Sequence, residues 1–103
     1  MTERRTARRV EIAVPVMCWG SAAQCLDGRT RDISESGVFL IVNHELEPNE
    51  PFLLLMRFPG HLPEENNELL WAYCRVVRIE PRRIHGDACM GIAAVVEQYV
   101  LPV

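Results

Sequence analysis

The sequence predicts an all-β domain, a small six-stranded antiparallel β-barrel or sandwich. Three observations carry that expectation. Short apolar or alternating stretches recur along the chain, Gly-, Pro- and Asn-rich turns separate them, and no long amphipathic helical pattern occurs. Closure into a barrel is expected because it removes the exposed edges that an open sheet must protect. At 103 residues the chain is one domain, and 49% hydrophobic against 24% charged residues is too apolar for global disorder. Doubly wound dinucleotide folds and (β/α)8 barrels are excluded by length.

The elements follow in order. Val10, Ile12, Val14 and Val16 alternate with Glu11, Ala13 and Pro15, which reads as a half-buried strand. Pro15 cannot donate to a ladder, so an edge or a bulge is expected there. Asp27-Gly28 reads as a hairpin turn between Gln24–Leu26 and Arg29–Ile33. Val38 to Val42 is β-branched and aromatic, hence a buried strand, and Phe52 to Phe58 is a strand apolar on both faces. Pro59 to Glu68 carries Gly60, Pro63 and Asn66-Asn67 and reads as a surface loop. Leu69 to Ile79 is the longest strand candidate, with Leu70, Ala72, Cys74, Val76 and Arg78 on one face. Pro81 and Gly86 bracket a turn, Cys89 to Val96 is the last strand, and Glu97 to Leu101 allows one C-terminal helical turn.

Charge is unevenly placed. Residues 1–9 hold Arg4, Arg5, Arg8 and Arg9 against Glu3, while the whole chain stands at −3, so the body is acidic. All 11 basic residues are arginine, whose planar fork suits phosphates and guanine edges better than lysine does. An acidic body offers no broad basic face for a nucleic-acid polymer, so a small anionic ligand fits better. Glu11 and Pro15 interrupt the apolar stretch after the arginines, which argues against a leader peptide and for a cytoplasmic protein. The longest apolar runs are far below the ~20 residues a membrane helix needs.

Cys18, Cys25, Cys74 and Cys89 contain no CxxC pair, so no metal site is expected. Cys74 and Cys89, set among apolar residues, read as small buried hydrophobes. His44, His61 and His85 sit in turn-rich connections and read as surface residues. The chain has no HExxH, GxSxG, P-loop or GxGxxG string, and it is expected not to be an enzyme.

Two strings remain. Arg4-Arg5-Thr6-Ala7-Arg8-Arg9 contains RxxxR in two registers immediately before the first strand. Asp32-Ile33-Ser34-Glu35-Ser36-Gly37 is DxSxxG at a strand–strand turn. Alone, the second string also reads as an Asx/Ser turn that merely joins strands. Asp32-x-Ser34-x-Ser36 matches the metal string of von Willebrand A-like domains too, but that site needs a larger α/β fold. With both strings in this order, the chain resembles the PilZ domain family, receptors for cyclic di-GMP. The resemblance extends to Pro15-Val16, Gly37-Val38-Phe39-Leu40, Val76-Val77-Arg78 opening a turn and Gly91-Ile92 starting the last strand. It departs at Ala93-Ala94-Val95, where an aromatic is usual, and the helix that commonly follows the barrel is expected to be nearly absent.

The resemblance implies a cyclic di-GMP receptor or adaptor acting on a downstream protein partner, with no cofactor. It divides the chain into an Arg-rich arm at 1–9 and a barrel at 10–103. It implies Arg5 and Arg9 as the working pair, Arg4 as a further basic contact, and Asp32, Ser34 and Gly37 as the other ligand residues. Arg forks suit guanine N7 and O6, and Arg planes stack on purines. Asp32 suits the guanine N1–H and N2 amino donors. Ser34 bonds a ligand oxygen or pins the turn, and Gly37 supplies a positive φ or a close backbone approach. Arg78 falls where the family often has arginine; ligand contact and a plain surface role both stay open. Trp71 and Tyr73 read as base-stacking or as barrel wall. Four arginines with no apolar anchor before Val10 are expected to stay mobile until ligand phosphates relieve their repulsion. The alternative is a PilZ-like protein–protein interaction module that binds no nucleotide.

Overall fold

Alternation along the sequence becomes the inside and outside of a closed barrel. The computed structural model describes residues 10–20, 25–43, 46–58 and 68–100. Arg4, Arg5, Arg8, Arg9, His44, His61, the loop at 59–67 and residues 101–103 lie outside the described residues. The strands are β1 (Val10–Glu11), β2 (Pro15–Trp19), β3 (Cys25–Ile33), β4 (Gly37–Val42), β5 (Pro51–Phe58), β6 (Glu68–Ile84) and β7 (Asp87–Val100). Antiparallel pairing runs β3–β2–β5–β6–β7–β4, and β4 returns to β3, closing six strands. β1 is an extra strand beside β3. No helix among the described residues is long and apolar enough to cross a membrane.

A six-stranded barrel has room inside only for side chains. Leu40, Leu54, Met56 and Ile92 are fully buried there with Val16, Val42, Ala72 and Val76. Burying each large aliphatic contributes roughly 1.5–3 kcal/mol, which is the main term holding the strands together.

Four sequence expectations change. The expected strand from Val10 to Val16 breaks into β1 and β2, leaving Val10 and Ile12 exposed. The break is held by buried Thr30: its hydroxyl donates to the Ile12 carbonyl at 2.5 Å and accepts from the Val14 N–H at 2.9 Å. Thr30 N–H also donates to the Val14 carbonyl at 3.0 Å.

Asp27-Gly28 makes no hairpin turn; β3 runs straight through it. Gly28 pairs with Val16 on one side and Val42 on the other. A Cβ at Gly28 would collide with the Ile41 carbonyl oxygen and lie 2.6 Å from Val42 Cγ1. The glycine is required by close strand approach, which in sequence looks the same as a turn.

Pro81 lies inside β6 opposite Met90, and the turn is His85-Gly86, with φ of 51° and 84°. Positive φ at both positions is the two-residue geometry that matches strand twist. Past Arg75, β6 pairs only with β7, and an edge of this kind tolerates a residue without an N–H. Finally, Glu97 to Val100 continues β7 rather than forming a helical turn.

Cys18 and Cys74 point into the barrel, and burial pushes both thiols from 9.0 up to about 12. Below about pH 9 both thiols are protonated folded or unfolded. Above it the unfolded chain sheds those protons first, so stability falls as pH rises from about 9 to 12. Each thiol contributes a slope of about 1.4 kcal/mol per pH unit in that window. Urea midpoints are expected to drop between pH 8 and 10.5, and less steeply in Cys18→Ala. At pH 8 a thiol reagent is expected to label exposed Cys25 and to spare Cys18 and Cys74 until unfolding. Equal labelling of Cys18 and Cys25 in the native protein contradicts this packing.

Candidate functional site

The DxSxxG string forms the tight connection between β3 and β4, and its own polar groups build it. Ser34 N–H donates to the Gly37 carbonyl at 2.8 Å, and Gly37 N–H donates to Ser34 Oγ at 3.1 Å. The Ser34 hydroxyl donates in turn to the Gly37 carbonyl at 3.3 Å. Of the two roles open for Ser34, pinning the turn is therefore visible. Gly37 shows no positive φ; its feature is close approach, since a Cβ would sit 3.2 Å from the Ala94 carbonyl oxygen.

Three β-bulges surround the turn, and each sends a side chain where strict alternation would not. Arg31 is the extra residue between Thr30↔Leu40 and Asp32↔Phe39. Before it the even positions Leu26 and Thr30 are buried; after it Ile33 packs against the core. Asp32 is thereby turned off the core face into an outer groove, where it is only 8% exposed. Val77 is the extra residue in β6, between Val76↔Ala94 and Arg78↔Ala93. Val76 faces the core and Ile79 packs against it, so Arg78 leaves the face its sequence position predicts and lines the same groove. Val76-Val77-Arg78 is thus a bulge within β6, not the opening of a turn. Glu97 is the third, between Tyr73↔Gln98 and Cys74↔Val96. Beyond it Tyr99 packs against the core, and its hydroxyl donates to the Ser34 carbonyl at 3.1 Å. Val96 N–H donates to the Ser36 carbonyl at 2.9 Å, so β7 braces the turn from behind.

The groove encloses about 220 Å³ and is open to solvent on the outer face of β4, β7 and β6. Arg31, Asp32, Ser34, Gly37, Val77 and Arg78 line it, with Ala93 to Val95 along its floor. Gly37 and Ala93 have little or no side chain, which makes the surface concave. The Ala93-Ala94-Val95 departure therefore shapes the groove.

Charge in and beside the groove is paired. Arg31 Nε donates to Asp32 Oδ2 at 3.1 Å. On β6, Arg78 Nε and Arg82 Nη2 donate to the two Glu80 oxygens at 2.6 and 2.9 Å. Hydrogen bonds from Arg78 first, then Arg82, hold the Glu80 carboxyl below its usual range, so it is ionised at neutral pH. Arg78 and Arg82 thus share the Glu80 carboxylate, and Arg31 and Arg82 share the Phe39 ring. Arg31, Glu80 and Arg82 were not singled out from the sequence. Period-two reading assigns Arg31 and Asp32 to opposite faces, and nothing in the chain order marks the bulge that brings them together.

β1 pairs with the end of β3, just before the turn. Val10 pairs with Ile33 and Glu11 with Asp32, so Arg9 is one peptide bond from a residue that lies across from the start of the turn. Arg4, Arg5 and Arg9 themselves lie outside the described residues.

The sequence matches the PilZ domain family over residues 3–97, a span that holds both strings. The chain belongs to the PilZ domain family. Two solved structures share its fold. The Bacillus subtilis inhibitor of motility MotI/DgrA superposes with a TM-score of 0.72 at 16% identity, covering 96% of this chain. The PilZ domain of Escherichia coli YcgR with c-di-GMP superposes with a TM-score of 0.70 at 13% identity, covering 92%. This PilZ chain spans 44% of the MotI/DgrA chain and 79% of the YcgR domain. No curated protein sequence matches it.

The remaining candidates separate from the PilZ groove. Trp71 stacks on Trp19 with ring centroids 5.5 Å apart and planes at 27°, which makes it barrel wall rather than part of the groove. Tyr73 is half exposed on the same strand and does not line the groove either. His85 is exposed at the β6–β7 turn. Cys74 and Cys89 are buried, as is Cys18. No three His, Cys, Asp or Glu side chains are grouped to hold a metal ion among the described residues.

Proposed function

We propose that this PilZ domain is a cytoplasmic, non-enzymatic receptor for cyclic di-GMP in bacterial signalling. In this reading the arm at 1–9 closes over nucleotide held at the Asp32–Gly37 turn. The observation that supports the reading is the β1–β3 register, which sets Val10, the residue after Arg9, opposite Ile33. Extended chain spans at most about 3.3–3.6 Å per residue, so Arg5 and Arg4 are within reach of the groove when Arg9 is at its edge. The ligand's two phosphates meet Arg4, Arg5, Arg9 and Arg78, and Asp32 accepts from a guanine edge. Ser34 and Gly37 keep the turn closed and the floor low. A downstream protein partner then reads the closed arm, a disorder-to-order device.

The experiment is a calorimetric titration with cyclic di-GMP at physiological salt. Saturable binding at a fixed stoichiometry is the expected result. Absence of binding removes the receptor reading and leaves the alternative, a PilZ-like interaction module without nucleotide.

A further inference from the structure

Arg31 is held by two neighbours. Its guanidinium carbon lies 3.9 Å from the centroid of the Phe39 ring, van der Waals contact between two flat groups. Its Nε is tethered to Asp32 Oδ2 at 3.1 Å. A ring under one face and a carboxylate at one edge fix the plane of the guanidinium. Phe39 is itself pinned: it is 5% exposed, and a Cβ at Gly91 would stand 2.7 Å from its Cζ. Arg82 closes over the same ring with its guanidinium carbon 5.1 Å from the centroid. Yet the Arg31 side chain is still 44% exposed and lines the groove beside Asp32 and Ser34. Its bulged position puts it on that wall without displacing its neighbours.

We infer that Arg31, backed by Phe39, is a stacking platform for one purine base of the bound nucleotide. The inference rests on the receptor reading of this groove and names how one base is held. A flat cation with one face covered and the other open is matched by the face of a base, whose π-system it attracts. Because Phe39 and Asp32 already hold the side chain, little rotamer freedom is lost on binding. Asp32 Oδ2 stands 3.1 Å from Nε, at the edge of the guanidinium, which leaves the face to a base. One base stacks on Arg31, and the other gives its edge to Asp32.

Calorimetric titration of cyclic di-GMP against wild type, Arg31→Ala, Arg31→Lys, Phe39→Leu and Arg57→Ala tests this. Arg31→Ala is expected to weaken binding roughly 5- to 150-fold. Arg31→Lys keeps the charge and loses the plane, so it is expected to fall close to Arg31→Ala. Phe39→Leu leaves the arginine but unpins it, and a smaller loss is expected. Arg57, exposed and lining a separate concavity with Met17 and Leu55, is expected to leave affinity unchanged. Thermal melts of the Arg31 variants check the fold, and Arg31 is exposed enough for both to survive. If Arg31→Lys or Arg31→Ala binds like wild type, the platform is wrong while the receptor reading stands. If wild type does not bind cyclic di-GMP at all, the receptor reading falls and takes the platform with it.

Discussion

Cyclic di-GMP is expected to bind at least about 100-fold more tightly than cyclic di-AMP, although the two carry the same charge. Adenine presents an amino donor where guanine has O6, so an arginine fork meets a donor instead of an acceptor. It also lacks the N1–H and N2 amino donors that Asp32 is proposed to accept. Each mismatch of this kind costs about 1–3 kcal/mol. Asp32→Asn keeps the size of the side chain but exchanges an acceptor for a donor. It is expected to reduce affinity for the guanine ligand far more than for the adenine one. Calorimetric titration of both nucleotides against both proteins measures the effect. Similar affinities in wild type would leave an arginine-lined phosphate trap, with no reading of the base.

Arg9→Ala is expected to weaken cyclic di-GMP binding roughly 10- to 150-fold, the loss of one charge-assisted bidentate contact of about 1.5–3 kcal/mol. The fold is expected to be unaffected, because the side chain precedes Val10 and the core begins at Val14. Arg57→Ala is the matched control. Arg82 cannot serve, since it shares Phe39 and Glu80 with the groove residues. If Arg9→Ala and Arg57→Ala reduce affinity equally, total charge explains binding and the arm has no special role.

The parts of this domain legible in sequence are those written along one strand or one turn. Val38 to Val42 and Phe52 to Phe58 alternate or run apolar, and β4 and β5 match them within one residue. Asp32, Ser34 and Gly37 form a contiguous string, so the turn was visible before its geometry was. What depends on neighbouring strands was not visible. Gly28 looks like half of a hairpin turn, yet it is the point where β3 passes between β2 and β4. Arg78 counts onto the core face until Val77 is left unpaired opposite β7. Phe39 reads as one more buried strand residue; that it lies under Arg31 and Arg82 is a matter of register across β3, β4, β7 and β6. The misread helical turn at Glu97 to Leu101 has the same origin, because β7 is held extended by its pairing with β6 out to Val100. A polar C-terminal stretch carries little strand signal of its own.

The groove's place on the β4–β7 seam also bears on how the protein folds. β6 and β7 meet at His85-Gly86, and β3 and β4 meet at the turn ending in Gly37, so both pairs are local hairpins. The seam instead joins residues 37 to 42 with residues 90 to 95. Pairing across such a distance along the chain waits on loop closure and comes late. Asp32 and Gly37 belong to the first hairpin, Arg78 and Ala93 to the second, so the groove comes into existence only when the two are zipped together. A molecule that spans both hairpins therefore acts on the step that completes the barrel. By mass action it stabilises the whole closed state by RT ln(1 + [L]/Kd). To the extent that the seam is still open in the unfolding transition state, occupancy also lengthens the lifetime of the native barrel.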